Sequence, residues 1–68
     1  MSKDEIRNVL ARASKRRSTV RVRVGGEAEV IGSVAWLGLG VVLLVPKGAA
    51  HPMQVLLRAI EHAEVMAR

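Results

Sequence analysis

The chain opens with the apolar periodicity of an amphipathic helix. Ser2, with Glu5 three residues later, forms a capping-box pair that marks a helix start. Apolar side chains then recur at the spacing of one helix face, at Ile6, Val9, Leu10 and Ala13. We predict a helix that docks through this stripe and ends within residues 14–18.

Residues 19–24 alternate between valine and polar residues, the period of two that a half-buried strand requires. Gly25 and Gly26 then indicate a turn, and residues 27–30 resume the alternation as a second strand. Charge complementarity favours a register that sets Arg23 against Glu27 and Arg21 against Glu29. The valines are expected to face a core and the arginines to face water.

A long uncharged stretch of sixteen residues follows, from Val30 to Val45. As a helix it would span about 24 Å, short of the ~30 Å hydrocarbon core of a membrane. Its glycines and β-branched residues instead predict two strands joined by a turn. We place a bend or bulge at Gly32 and a chain reversal at residues 38–40.

The strand expected at residues 41–45 is apolar on both faces, so both faces must be covered. The terminal helices of one copy can cover one face, and a neighbouring copy the other. Self-association also suits a chain of 68 residues without cysteine, because so short a chain buries only about 60% of its unfolded surface. We therefore predict a homo-oligomer whose interface consists of Val41, Val42, Leu43, Leu44 and Val45.

The C-terminal segment has two interpretations. A helical stripe follows Pro52 and predicts a helix over residues 52–67; its members are Met53, Leu56, Leu57, Ile60 and Ala63. The alternative, a further strand at residues 55–58, is implied only by the family resemblance given below. With the helix, the predicted fold is α+β: one domain over residues 1–68 with an N-terminal helix, a three-stranded antiparallel sheet in a meander or small barrel, and a C-terminal helix.

Positive charge is concentrated in the first third of the chain. Residues 1–24 hold eight basic and two acidic side chains, a formal charge of +6, whereas the remainder holds three basic and four acidic ones, a charge of −1. Such asymmetry attracts polyanions, nucleic acid or an acidic membrane surface above all, although it is also typical of a solvated face. We predict nucleic-acid contacts from the five cations that fall within nine residues: Lys15, Arg16, Arg17, Arg21 and Arg23.

The sequence contains no pattern typical of catalysis. It has no cysteine, no phosphate-cradling glycine loop and no histidine pair at metal-ligand spacing. His51 is expected as a cap or loop residue and His62 on the solvated face of a helix. Trp36 is expected in a core or interface, with base stacking as its alternative. We expect no enzyme activity, no cofactor, no metal and no membrane partner, and a cytoplasmic location because no secretory signal is visible.

After the helix, the run VRVRVGGEAEVIGSVAWLGLGVVLLV resembles the Sm-like small-barrel family, which includes the bacterial RNA chaperone Hfq. Gly26, Gly32 and the apolar strand at residues 41–44 match the family's turn, bent second strand and third strand, within about residues 5–45. Residues 38–40 depart from it, because glycine and leucine replace acidic and amide residues. The resemblance implies ring assembly and RNA binding, and it carries over one RNA contact, Arg58.

The function predicted from these features is nucleic-acid binding by an oligomer that acts through its basic N-terminal stretch, with RNA preferred to DNA. The alternative is a homo-oligomerisation or protein-interaction module that binds no nucleic acid. An enzyme would require a composite site between subunits.

Overall fold

The fold combines an N-terminal helix with an antiparallel sheet of five strands. The computed structural model of the protein describes residues 1–26 and 28–66. Its elements are α1 (Lys3–Arg16), β1 (Thr19–Val24), β2 (Ala28–Leu37), β3 (Val41–Pro46), β4 (Met53–Leu56), a 3-10 turn (Leu57–Ala59) and β5 (Ile60–Val65). The strands lie in the order β4-β3-β2-β1-β5, so β4 and β5 form the edges of the sheet.

Helix α1 begins at the predicted capping box. The Ser2 hydroxyl accepts a hydrogen bond from the Glu5 backbone N–H at 3.2 Å, and the Glu5 carboxylate accepts one from the Ser2 N–H at 3.1 Å. The predicted apolar stripe is confirmed, since Ile6, Leu10 and Ala13 are all buried. The helix therefore has a fixed start and one face that packs against the sheet.

The hairpin of β1 and β2 has the predicted faces. Val20 and Val22 are fully buried, whereas Arg21 and Arg23 are exposed. This alternation confirms the half-buried strand that the sequence predicts.

The register of this hairpin differs from the prediction. Arg23 pairs with Glu29, whereas the prediction paired it with Glu27, which lies outside the described residues. Gly25, the residue after β1, donates its N–H to the carbonyl of Ala59 at 3.0 Å. The turn therefore begins at Gly25, and Val24 remains in the strand. Since the pairing moves by two residues, every side chain keeps its predicted face.

The paired strands β2 and β3 approach each other unusually closely at Gly32. A Cβ at this position would overlap the carbonyl oxygen of Val45 and lie 2.8 Å from the Cα of Pro46. Further along, the register shifts between Val34 and Trp36, which marks a β-bulge. Gly32 therefore lies where two backbones come close together, which is a common reason for a glycine within a strand.

The predicted C-terminal helix over residues 52–67 is wrong. Its described residues, to position 66, form β4, the 3-10 turn and β5, and the sheet has five strands instead of the predicted three. β4 pairs with β3, and β5 pairs with β1. Both outer strands of the predicted meander thus gain a partner, which satisfies backbone groups that a helix would leave unpaired.

The apolar spacing that predicted a helix belongs to two strands. Val55 and Leu57 are two residues apart, as on one face of a strand, and both are buried. The 3-10 turn then advances the chain so that Ile60 and Ala63 are also buried. A stripe at intervals of three and four residues therefore arises here from strand, turn and strand.

One apolar core lies between α1 and the inner face of the sheet, with contributions from the helix and all five strands. Its fully buried side chains are Leu10, Val20, Val22, Val42 and Leu44. The uncharged stretch from Val30 to Val45 forms most of β2 and β3 and the turn between them. No helix in the described ranges is long and apolar enough to cross a bilayer.

Replacing Gly32 by alanine should destabilise the protein. The added methyl group would overlap the β3 backbone, which cannot move without disturbing the core. We expect the free energy of unfolding to fall by about 1–3 kcal/mol, the usual cost of overpacking. Gly40→Ala is the matched control, since a Cβ at Gly40 meets no atom within 4 Å. Urea unfolding at one protein concentration measures the free energy of unfolding of both variants. Equal stability of the two would contradict the close approach of the strands.

The capping box should make stability depend on pH. The Ser2 backbone N–H, and then its hydroxyl, hydrogen-bond Glu5 and hold the pKa of this carboxyl below its ordinary value of 4.5. A lowered pKa adds stability above the ordinary value, and that stability is lost as the pH falls through the lowered one. Glu5→Gln should therefore be less stable than the natural protein at pH 7, and the difference should shrink in acid. A constant difference across urea titrations at several pH values would exclude this linkage.

Candidate nucleic-acid interface

The C-terminal end of α1 carries the first group of cations. Lys15, Arg16 and Arg17 are exposed there, and Arg12 lies one turn before Arg16. We call these four residues the helix-end patch. The negative end of the helix dipole stabilises cations at this position. The sequence prediction omitted Arg12, although its spacing of four from Arg16 places both on one helix face.

Arg21 and Arg23 lie on a different surface, the outer face of β1. Arg23 is opposite Glu29 of β2 and His62 of β5, and Arg21 is opposite Glu64. These five residues line one polar depression, which we call the sheet-face cluster. Its two arginines are matched by two glutamates, so its formal charge is zero while His62 is neutral.

An acidic side chain lies between the two groups of cations. Glu64 borders the sheet-face cluster and also a groove between α1 and β5 that is lined by Arg12 and Arg16 of the helix-end patch. The five cations predicted to contact nucleic acid are therefore divided between two surfaces with an acid between them.

Glu64 directly neutralises Arg21. The Arg21 guanidinium donates from Nε and Nη2 to Oε1 of Glu64, with the Nε contact at 2.8 Å. This hydrogen bond, together with the charges of Glu64 and Glu29, raises the pKa of Arg21. It is the one ion pair that the described residues form. Because both side chains are nearly half exposed, the pair chiefly reduces the charge that Arg21 offers to a polyanion.

Arg58 belongs to a third group, at the 3-10 turn between β4 and β5. It shares a depression with Lys3 and the β2–β3 turn, which we call the turn pocket; its lining residues are Lys3, Leu39, Gly40, Leu56, Leu57 and Arg58. Two of these side chains are basic and none is acidic. The Leu57 N–H donates to the Gly40 carbonyl at 3.1 Å and so joins the two turns.

Arg7 holds the β2–β3 turn against α1. Its guanidinium donates to the carbonyl oxygens of Gly38 and Leu39, the latter at 3.3 Å. The sequence prediction left out both Lys3 and Arg7. Their spacing of four residues on a helix, away from the apolar stripe, is the signal that could have found them.

The predicted oligomer interface lies on an interior strand. Both backbone edges of β3 are paired within the chain, and Val42 and Leu44 are fully buried in its core. Val41, Leu43 and Val45 are half-buried and alternate with them, so only these three can contact a partner. An interface at β3 stays a prediction, now limited to one face.

The two sheet edges carry exposed apolar side chains. Met53 and Leu56 on β4 are 40% and 41% exposed, and Val65 on β5 is 45% exposed. Each strand also has one row of backbone groups that faces away from the sheet. The sequence prediction could not identify these edges because it assigned both strands to a helix.

Trp36 and the two histidines are all at the surface. Trp36 is 54% exposed and so does not lie in the core, while the other two placements, an interface and base stacking, stay predictions. His51 is exposed in the loop between β3 and β4, as expected, and His62 lies in the sheet-face cluster.

A helix followed by a five-stranded antiparallel sheet in this order is the fold of an Sm-like small barrel. Among solved structures, the chain is similar to an Hfq protein from Anabaena sp., with a TM-score of 0.72 and 20% sequence identity over 96% of this chain and 100% of that chain. The predicted Sm-like fold is thereby confirmed. No protein-family model and no curated protein sequence matches the chain.

Proposed function

We propose that this protein is a non-enzymatic, homo-oligomeric RNA-binding protein. The observation that carries the proposal is the Hfq-like fold, at a TM-score of 0.72 across nearly the whole chain. RNA in preference to DNA follows from the resemblance to the Sm-like family and from no separate feature of this chain.

The distribution of charge supports binding through two surfaces. The helix-end patch is basic, and the turn pocket is lined by Lys3 and Arg58 with no acid among its lining residues. Exposed cations release counterions when they contact phosphates, which favours binding. Of the residues predicted from sequence, we retain Lys15, Arg16, Arg17 and Arg58 as principal contacts. Arg21 and Arg23 become secondary because the glutamates of the sheet-face cluster balance them.

The sheet edges support self-association. β4 and β5 lie at opposite edges of the sheet, so β4 of one copy can pair antiparallel with β5 of the next. Such a head-to-tail contact joins two different surfaces, and it closes into a ring when the rotation between neighbouring copies divides a full turn. It would also cover the exposed apolar side chains Met53, Leu56 and Val65. Val41, Leu43 and Val45 lie on the strand next to the β4 edge.

The same edges favour a second candidate, a homo-oligomerisation or protein-interaction module without nucleic-acid binding. Its cations would then serve solubility alone. Nucleic-acid titration separates the two candidates.

We expect single-stranded RNA to bind with an affinity that falls steeply between about 50 and 200 mM salt. Arg16→Ala and Arg58→Ala should each weaken binding and reduce the slope of log affinity against log salt by about 0.7, the value for one phosphate contact on a single strand. Fluorescence anisotropy of a labelled strand measures both quantities, and a DNA strand of the same sequence tests the preference for RNA.

Lys47→Ala is the control for these variants. Lys47 is an exposed cation in the loop after β3, and it belongs to neither the helix-end patch nor the turn pocket. Its loss should leave the salt slope unchanged. A natural protein that binds no strand at low salt would favour the interaction module.

Gln54→Pro should lower the mass of the oligomer. Leu57 donates its N–H toward β3, so by alternation the N–H of Gln54 points to the free edge of β4. Proline removes this donor without removing a bond inside the chain, whereas Gln54→Ala keeps the donor. Light scattering measures the mass. A natural protein with the mass of one chain, or a Gln54→Pro variant of full mass, would count against pairing at this edge.

A further inference from the structure

Trp36 is the single aromatic side chain of the protein, and it is 54% exposed. An indole contributes most to stability when it is buried, so this residue adds little to the core. Trp36 also lies on β2, an interior strand separated from the β4 edge by β3 and from the β5 edge by β1. Edge-to-edge pairing of copies therefore does not require it.

The indole rests directly on the backbone of Gly38. A Cβ at Gly38 would overlap the six-membered ring of Trp36, so the ring occupies the space that any larger residue would fill. Gly38 is fixed in turn, because Arg7 donates to its carbonyl and its own N–H donates to Val41 O at 2.8 Å. An exposed ring seated on a fixed turn loses little freedom when a ligand stacks on it.

The turn on which this ring rests also borders the basic turn pocket. Leu39, which follows Gly38, lines the turn pocket with Lys3 and Arg58. Leu39 is itself 94% exposed, so the residue that links the ring's turn to the pocket lies at the surface. A flat aromatic surface beside a basic pocket is the combination that holds a base and its phosphates in single-stranded nucleic acids.

We propose that Trp36 is a stacking platform for an unpaired base of single-stranded RNA, with the adjoining phosphates bound by Lys3 and Arg58 in the turn pocket. The inference rests on the RNA-binding function proposed above and adds a subsite to it. Since every base has a π-face, the platform accepts any base and contributes affinity without sequence preference.

Tryptophan fluorescence tests the platform directly, because Trp36 is the one source of indole emission. The full chain is titrated with oligouridylate and with an abasic strand of the same length and charge. Stacking should quench the emission with the oligouridylate and leave it nearly unchanged with the abasic strand. Trp36→Ala should weaken oligouridylate binding about 5- to 150-fold and leave binding of the abasic strand unaltered, whereas Trp36→Phe should restore most of the affinity.

Gly38→Ala provides an independent variant that keeps every charge. Its methyl group would displace the indole from its position against the Gly38 backbone. The quenching of Trp36 emission and the affinity for oligouridylate should therefore both fall. Light scattering and thermal unfolding on each variant establish that mass and fold are retained.

The outcomes distinguish the subsite from the function. Binding of oligouridylate with equal affinity by Trp36→Ala and the natural protein overturns the platform and leaves RNA binding intact. A loss of oligomer mass in Trp36→Ala assigns the residue to a subunit interface and also overturns it. Absence of binding by the natural protein at low salt overturns both proposals.

Discussion

The close approach of the β2 and β3 backbones at Gly32 is the constraint on which the rest of the structure depends. A sheet whose strands approach this closely can turn one face inward around a small core, and only glycine leaves room for the Val45 carbonyl. Val42 and Leu44 of β3 then point to the same interior as the apolar stripe of α1. A chain too short for a second core thereby covers its most apolar strand with its own residues on one side.

The strand order that results determines which surfaces remain for partners. β1 and β3 receive β5 and β4 as neighbours, so the two short C-terminal strands become the exposed edges. The two arginines on the outer face of β1 lie opposite glutamates of β2 and β5, so these charges largely cancel. Uncompensated positive charge is left at the end of α1 and at the turns around Arg58, and both places lie outside the sheet faces.

The sequence was sufficient for features that depend on local spacing and insufficient for those that depend on neighbours in space. The capping box, the helix stripe and the alternation of β1 follow from periodicity, and all three are observed. The C-terminal helix was wrong because a 3-10 turn between two strands reproduces helical spacing. The pairing of Arg21 with Glu64 joins residues 43 positions apart, and no local pattern shows that β5 lies beside β1.

The same distinction explains why we propose the turn pocket as a binding surface and give the strand arginines of the basic run a secondary role. Cations in a strand face cross-strand neighbours on both sides, and here each of the two arginines has one glutamate opposite it, which reduces the charge it presents. Lys3 and Arg58 come from a helix start and a turn, so neither lies in a strand with a cross-strand partner. The Arg7 contacts to the Gly38–Leu39 turn add rigidity without adding negative charge, since they use backbone carbonyls. The turn pocket therefore keeps two cations with no acid among its lining residues, and it borders the turn that follows the strand carrying Trp36.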